Sequence, residues 1–359
     1  MKRYCKNEQN FKFRQSSRGF SYSIGKLMMY FRFIIGTFLG CIVWSSSQCQ
    51  QLPSWSSYYE TGFVWNPALT AKWNSVETSV THRQDWIGID GAPQYSNISF
   101  QIPFVSGYHT KSAMGFFVER DVVGPQEKIG GAVTYNYRFR PQFFGKKDDV
   151  LGIGFLANLS RYQYNLQNVV VYDKSQLTLD FSQASSVINP NLGIGAFYIS
   201  VSDFYALQKS HYYAGVSVNQ LIPGTLATFK GRADQVSLAT IQASLHATMH
   251  VGYRYIPFRK KYFYEPDLMV IYGLSKGIHA MAHIRYEMMH SFWLAGGLTT
   301  TGESFAQAGV ILDKFSFMKS IVQEGSLRIG LKASWNVGSV RRLANAGLEF
   351  YGAYVFEVE

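Results

Sequence analysis

Two pairs of histidines have the spacing of zinc ligands on a helix. His246 and His250 are four residues apart, and so are His279 and His283. Residues four apart are neighbours on a helix, but on a strand they lie about 13 Å apart, at ~3.4 Å per residue. Two histidines at that distance cannot share one ion at bonds of about 2 Å. Because the surrounding pattern favours strands, we predict no metal site within either pair, and only a site joining different strands stays open.

A glycine pattern resembles the loose dinucleotide-binding motif. Gly152, Gly154 and Ala157 have its spacing, and Asp173 follows about 20 residues later. That motif must follow a strand and open a helix, whereas these glycines lie inside a segment with no helical pattern after it. We therefore predict that they line a crowded inner face and that the protein has no cofactor. No arrangement of serine, histidine and aspartate stands out, so we predict no enzymatic activity.

Period-two alternation runs through most of the chain after residue 75. In the segment 129–139, Ile129, Val133 and Tyr135 share one face, and smaller or polar residues such as Asn136 share the other. Successive side chains on a strand point to opposite faces. Each segment therefore has an apolar side and a polar side, and the alternation predicts an all-β protein.

Three features favour a membrane barrel over a soluble sandwich. The segments run roughly 10 residues, the length needed to cross a bilayer at a tilt. Their apolar sides often end in aromatic residues, as an interfacial girdle would. The polar sides carry cations in mid-strand, which a sandwich core would not tolerate but a watery lumen would. These cations are Arg254, Arg285, Arg328 and Lys332.

The prediction is a single transmembrane antiparallel β-barrel of about 14 strands in the outer membrane, spanning residues 75–359. Closure leaves no unpaired strand edge in lipid. With the N-terminus in the periplasm, the long connections 163–190 and 220–242 face outside, and residues 50–74 form either a plug or a lead-in. The predicted strands are 75–84, 95–104, 112–120, 128–139, 150–162, 191–201, 211–219, 243–255, 264–273, 278–287, 291–298, 304–312, 326–335 and 347–357.

Composition excludes two broad classes of protein. The chain has 359 residues, of which 47% are hydrophobic and only 16% are charged, whereas a disordered chain is rich in charge and poor in aromatic residues. A polytopic helical membrane protein needs repeated apolar runs of about 20 residues, and one run alone comes close. Eight basic residues against one acid in the first 49 residues supply much of the net charge of +11. We therefore predict no nucleic-acid partner.

Residues 1–49 have the pattern of a signal peptide. A basic stretch precedes the apolar run Phe33–Trp44 and a small-residue cleavage site that ends at Cys49. The basic stretch is unusually long, and a translation start at Met28 would give a leader of ordinary length. All three cysteines of the chain lie in this leader, so we expect neither disulfides nor thiolate chemistry in the exported chain.

A basic run, Arg259-Lys260-Lys261, lies in a predicted periplasmic turn. Anionic lipid or a periplasmic partner could bind such a cluster of cations. The sequence favours a solvated turn without a partner over either of these.

The segment 83–93 reads as the end of a strand followed by a tight turn with glycines and a proline. Its residue types alone identify no ligand. Their fixed spacing resembles the signature of the PorP/SprF family of the type IX secretion system of Bacteroidetes. The matching residues are Arg83, Trp86, Gly88, Gly91, Ala92 and Pro93, and with Asp90 they are the candidate partner-binding residues. Trp65-Asn66-Pro67-Ala68 resembles the family's Asn-Pro-Ala segment, and Asp85 replaces its usual Gln.

This resemblance implies an outer-membrane barrel with no chemistry of its own. Such proteins support the secretion and surface retention of a large partner, often an adhesin, that carries a type IX C-terminal sorting domain. Some members are tied to periplasmic ring components of the secretion or gliding machinery, and outer-membrane lipid is a further partner. The alternative suggested by the strand number and the polar inner face is a passive porin, or a channel for hydrophobic solutes resembling the long-chain fatty-acid transporter.

Overall fold

Alternating apolar residues give the chain a closed antiparallel barrel. The computed structural model describes residues 58–73, 75–106, 109–142, 148–165, 185–201, 209–229, 239–273, 277–313, 325–337 and 346–357. The predicted leader with its cleavage site, the start at Met28, and Asp173 lie outside these residues.

Fourteen strands close the barrel, as the sequence predicts. Each strand pairs with the next one along the chain, from β1 to β7 and from β10 to β16, and β7 pairs with β10. β16 pairs with β1 and closes the barrel, with Ser75 opposite Glu357 and Gln84 opposite Leu348. The strands are β1 (Ser75–Gln84), β2 (Gln94–Ser106), β3 (His109–Val123), β4 (Gln126–Phe139), β5 (Val150–Tyr164), β6 (Ser185–Ile199), β7 (His211–Asn219), β10 (His246–Arg254), β11 (Tyr262–Gly273), β12 (Gly277–Met288), β13 (Phe292–Thr299), β14 (Glu303–Asp313), β15 (Gly325–Asn336) and β16 (Ala346–Glu357).

The connection 220–242 contains structure that the sequence did not predict. Two short strands, β8 (Thr225–Phe229) and β9 (Ala239–Gln242), pair with each other outside the barrel sheet. Leu226 packs against the inward-facing Tyr162 and Tyr164 of β5, so β8 folds over the inside of the barrel. The β5–β6 connection is also shorter than predicted, because β5 reaches Tyr164 and β6 begins at Ser185.

The two faces of the strands divide as the alternation predicts. Ile98, Val118, Leu159 and Leu331 are among the large apolar side chains exposed on the outside. Such an outward apolar band is the face that a membrane barrel presents to lipid. None of the helices among the described residues has the length and apolar character needed to cross a bilayer.

The inward cations occupy a different environment from the predicted one. Arg254, Arg285 and Lys332 point inward, but they are buried and form ion pairs rather than lying in open water. The physical reason is that the lumen, meaning the inside of the barrel, is filled by side chains and by chain. A charge removed from water must be paired and hydrogen-bonded.

Residues 58–73, named the inner segment, lie inside the barrel. The segment contains the one-turn helix α1 (Gly62–Trp65) and a 3₁₀ turn (Pro67–Leu69). Asn136 Nδ2 donates to the carbonyl of Ala68 at 2.7 Å, and Arg138 Nη2 donates to that of Thr70 at 2.8 Å. Thr70 Oγ1 bonds Thr134 Oγ1 at 2.8 Å. These contacts satisfy backbone groups of the segment that have no strand partner.

Candidate functional site

Residues 85–93, named the signature loop, join β1 to β2 at the barrel end opposite to the inner segment's junction with β1. The amide of Asp85 donates to the carbonyl of Pro93 at 2.9 Å, which closes the base of the loop. Within it, the amide of Ile89 donates to the carbonyl of Trp86 at 3.1 Å. Gly88 and Gly91 have φ of +91° and +74°, a backbone region that favours glycine.

Arg83, the last inward residue of β1, holds the base of this loop. Its Nε donates to Asp85 Oδ1 at 2.8 Å and its Nη2 donates to Glu303 Oε1 at 2.7 Å. Glu349 Oε2 lies 3.8 Å from Nη1. Because the guanidinium is a planar fork with five donors, one side chain ties the loop to β14 and β16. The Arg83 side chain is 6% exposed, so water screens these pairs little.

A second cation shares these carboxylates. Lys332 Nζ of β15 donates to Glu349 Oε2 at 3.2 Å. Burial raises the pKa of the Asp85 carboxyl, and the Arg83 guanidinium opposes this shift. Two cations therefore face three carboxylates around the loop base. Such a cluster positions the loop; it offers no nucleophile with an adjacent base.

The tip of the signature loop is exposed. Ile87 is 49% exposed and Ile89 is 43% exposed, and Asp90 between the tip and the base is exposed. Ala92 is buried, and Trp86 is half-buried. Two exposed β-branched apolar residues on a loop with a fixed base form a surface suited to a protein contact.

Hydrogen bonds to two neighbouring parts of the chain fix the loop in place. The amide of Ile87 donates to the carbonyl of Ala346, the first residue of β16, at 3.1 Å, and the carbonyl of Gly91 accepts from the amide of Gly124 at 3.1 Å. The loop therefore contacts the start of β16 and the β3–β4 connection, and its exposed tip has a defined position at this rim.

At the other end of the barrel, two arginines hold the inner segment. Arg254 Nε donates to Glu265 Oε2 at 2.6 Å, and Arg254 Nη2 donates to the hydroxyl of Tyr59 at 2.9 Å. That hydroxyl in turn donates to Glu265 Oε2 at 2.9 Å, and Tyr213 donates to Glu265 Oε1 at 2.7 Å. The result is a closed network in which each member satisfies another, which is the condition for burying charges at low cost.

The second arginine binds the segment's carboxylate. Arg285 Nη1 donates to Glu60 Oε1 at 2.9 Å and its Nη2 donates to Glu287 Oε2 at 2.7 Å. Its guanidinium also lies over the Tyr59 and Trp293 rings, at 4.6 and 4.8 Å from their centres. Cation–π contacts of this kind strengthen when water is excluded.

Lys72 of the inner segment is surrounded by aromatic rings. Its Nζ lies 3.9 Å from the centre of the Tyr213 ring and 4.3 Å from that of Trp73. Burial lowers the pKa of the Lys72 ammonium to about 7, and Glu265 partly opposes this shift. Proton binding at Lys72 is thus coupled to the position of the segment.

A small cavity lies beside the inner segment in the lumen. A cavity of about 60 Å³ is bordered by Tyr58, Glu60, Glu77, His250 and Arg328, among others. Sites for drug-sized ligands have about 300–1,000 Å³, whereas a space of this size and polarity suits a few waters. This cavity is therefore too small for a drug-sized ligand.

The histidines do not form a metal site among the described residues. His283 Nδ1 lies 3.2 Å from Asp267 Oδ2, and His250 packs between the rings of Tyr58 and Tyr213. Within the described ranges, no group of three histidine, cysteine or acidic side chains could hold an ion.

The glycine pattern lies in a strand. Gly152 and Gly154 belong to β5, and a Cβ at Gly154 would lie 2.2 Å from the amide nitrogen of Ala68. The backbone of the inner segment occupies the space of the missing side chain, so the crowded inner face is the one that the sequence predicted.

Sequence reasoning missed the partners of Arg83. Glu303 and Glu349 are inward residues of two late strands, and they do not stand out in the chain. The closing pair of strands could have supplied one of them, because Arg83 lies opposite Glu349 in the β1–β16 register.

Comparison with known proteins gives a family and a fold. The family model described as "Type IX secretion system membrane protein PorP/SprF" matches residues 47–351. No curated protein matches the chain significantly. The CymD monoaromatic hydrocarbon channel is 9% identical, with 83% of this chain and 93% of that chain covered and a TM-score of 0.51.

Two further solved structures are similar at lower scores. A FadL homologue of Pseudomonas aeruginosa is 10% identical, with 82% of this chain and 93% of that chain covered and a TM-score of 0.48. The Pseudomonas putida toluene transporter TodX is 8% identical, with 83% and 93% covered and a TM-score of 0.48. At these identities, the CymD likeness concerns the barrel fold alone.

Proposed function

Because the chain belongs to the PorP/SprF family of type IX secretion system membrane proteins, we propose that it is a non-enzymatic outer-membrane barrel that supports secretion and surface anchoring of a large partner protein. The proposed partner is adhesin-like and carries a type IX C-terminal sorting domain. Periplasmic ring components of the same machinery are proposed as further partners. The observation that carries the proposal is a barrel of a secretion family whose lumen holds the inner segment.

The outer membrane is the proposed location. The support is the closed barrel with an apolar outside, in which every strand edge is paired with a neighbour. Edges left open in lipid would cost several kcal/mol for each unpaired backbone group. Residues 1–49 are proposed to direct export through the inner membrane.

The signature loop is the proposed contact for the partner at the outer rim. Ile87 and Ile89 supply exposed apolar area, and the Arg83 cluster fixes the loop before any partner binds. A contact surface that is already ordered loses little entropy on binding. We infer that the seven candidate residues act as a unit, with Arg83 positioning the loop and its tip making contact.

Deletion of the gene tests the role as a whole. We expect the large surface adhesin to disappear from the cell surface, measured by antibody labelling of intact cells, while outer-membrane content of unrelated proteins stays the same. Unchanged surface display in the deletion strain would remove the proposal.

A paired substitution tests the loop. In I87D/I89D, two charges replace the apolar tip, and we expect display of the adhesin to fall at least about tenfold, as for loss of central apolar contacts. The control is L221D/I222D, which places the same charges on exposed residues after β7, six strands away around the barrel. Equal display in both variants and the unaltered protein would show that the loop is not the contact.

The passive channel is the alternative function. It needs a continuous path, whereas the described lumen holds the inner segment and a cavity of about 60 Å³. Steady conductance of the purified intact protein in planar bilayers would favour this alternative over the secretion role.

A further inference from the structure

The turn between β10 and β11, residues 256–261, carries an exposed ring beside three cations. Phe258 is 84% exposed, and Arg259, Lys260 and Lys261 are all exposed. No carboxylate of the described residues forms an ion pair with these three cations. The turn therefore combines apolar area with three cations that no described carboxylate pairs.

Hydrogen bonds to both neighbouring connections hold the turn in place. The amide of Ile256 donates to Ser210 Oγ at 2.8 Å, and the amide of Met289 donates to the carbonyl of Lys261 at 2.9 Å. The Arg259 guanidinium lies over the Phe258 ring, 4.9 Å from its centre. The ring and the charges are thus presented together at one place on the rim.

Tyrosines form a belt on the outer surface directly next to this turn. Tyr253 of β10 and Tyr255, just after that strand, precede the turn, and Tyr262 and Tyr264 of β11 follow it. The ring centres are 6.5 Å apart in the first pair and 5.8 Å apart in the second. Tyr286 of β12 continues the belt, 5.2 Å from Tyr264. Rings with one polar end mark the depth at which acyl chains meet headgroups, so the turn lies at headgroup level.

We propose that the turn 256–261 binds anionic phospholipid headgroups of the leaflet at this end of the barrel. Phe258 enters the boundary between headgroups and acyl chains, as an interfacial aromatic side chain does. Arg259, Lys260 and Lys261 contact the phosphates, with the arginine able to bind two oxygens at once. The proposal requires a barrel in a membrane, but it is independent of the secretion role.

Charge and position favour lipid over a protein occupant. Cations beside a membrane surface attract anionic lipids over a distance of about one Debye length. The ring and charges continue the tyrosine belt without a gap in sequence, so lipid that covers the belt reaches the turn. An acidic periplasmic protein is the competing occupant, and the experiment separates the two.

The test measures lipid affinity of the full-length protein. Barrels released from detergent are titrated with phosphatidylglycerol or phosphatidylcholine, and bound lipids are counted by native mass spectrometry. We expect phosphatidylglycerol to bind at least about tenfold more tightly than phosphatidylcholine. The variant K260Q/K261Q loses about tenfold in affinity for phosphatidylglycerol, and F258S loses about fivefold for both lipids.

The matched control removes two cations elsewhere. R120Q/R161Q changes the net charge equally at exposed residues of β3 and β5, and it should keep phosphatidylglycerol affinity. Circular dichroism checks that each barrel is folded, and R259N gives a third variant at a position whose positive φ of 58° suits asparagine.

Three results would overturn the proposal. The first is equal phosphatidylglycerol affinity in K260Q/K261Q and the unaltered protein. The same holds if K260Q/K261Q keeps its lipid affinity and loses binding of a periplasmic protein instead. The second is equal loss in the control. The third is competition by inorganic phosphate beyond that of chloride at the same ionic strength, because the site would then recognise free phosphate rather than lipid.

Discussion

Arg83 is one residue whose removal should affect the whole signature loop. Replacing it by Met leaves Asp85, Glu303 and Glu349 without their shared cation. Breaking a buried pair typically costs about 3–5 kcal/mol of the free energy of unfolding. We expect a loss of this size for R83M, measured by urea unfolding of the barrel in detergent micelles, together with loss of partner display.

The matched control is R120M. Arg120 also lies 2.7 Å from a glutamate, Glu127, but its side chain is 54% exposed against 6% for Arg83. Exposed pairs contribute roughly 0–1 kcal/mol, so R120M should unfold almost as the unaltered protein does. Similar losses in both variants would contradict the role given to burial.

Lys72 gives the inner segment a dependence on pH. Its pKa inside the barrel is about 7, against an ordinary value of 10.5. A released segment therefore binds more protons than a docked one between these values, and docking strengthens as pH rises from about 7. We expect a Cys placed at Thr70 to react more slowly with maleimide as pH rises from about 7 to 9, relative to a denatured sample at each pH.

The variant K72M removes the amine that binds this proton. With Met in its place, the relative labelling of T70C should change little over the same pH range. Since the sequence predicts no other cysteine in the exported chain, the label reports on one position. A pH profile that is identical with and without Lys72 would contradict the coupling.

At the scale of elements, the fit between β5 and the inner segment makes a sharp prediction. A Cβ at Gly154 would lie 2.2 Å from the backbone nitrogen of Ala68. This clash can be relieved only if the backbone of β5 or of the inner segment moves. In G154A the segment should therefore shift or leave, and T70C labelling should rise about tenfold. In G131A the nearest atom to the new Cβ is 3.8 Å away, so labelling should stay unchanged; a rise there as well would show a general loosening instead.

The strands were predictable because each one carries its own signal. Alternation within 129–139 or 327–335 separates the faces without any knowledge of the neighbouring strands. The hairpin of β8 and β9 carries no such signal: β8 has five residues, β9 has four, and they pair only with each other. Short strands of this kind depend on their contacts, here Leu226 against Tyr162 and Tyr164, and contacts are not local in sequence.

At the scale of the whole molecule, the barrel without its inner segment should conduct. Deleting residues 58–73 removes the backbone that fills the lumen between Asn136, Arg254 and Arg285, and water then hydrates the inward charges. We expect steady current in planar bilayers for the deletion and none for the intact protein. A silent deletion variant that is folded would show that other parts of the chain close the lumen.

Ion pairs across the lumen could not be predicted in the same way as strands. Alternation predicted the inward direction of Arg254, Arg285 and Lys332 but not their partners, because the closed sheet brings together residues far apart in the chain. Glu60 accepts from Gln307, which lies 247 positions away. The prediction of water around these cations was wrong. The alternation of apolar and polar residues in the strands does not show that the inner segment occupies the lumen.

The position of the inner segment has a consequence for biogenesis. Residues 58–73 leave the ribosome before any strand, yet their partners extend from Gln101 to Gln307. The earliest part of the polypeptide thus acquires its surroundings late, after most of the sheet exists. Until then the aromatic side chains of this stretch stay unburied, and for the proposed outer-membrane location we expect a holdase chaperone to shield them on the way to the membrane.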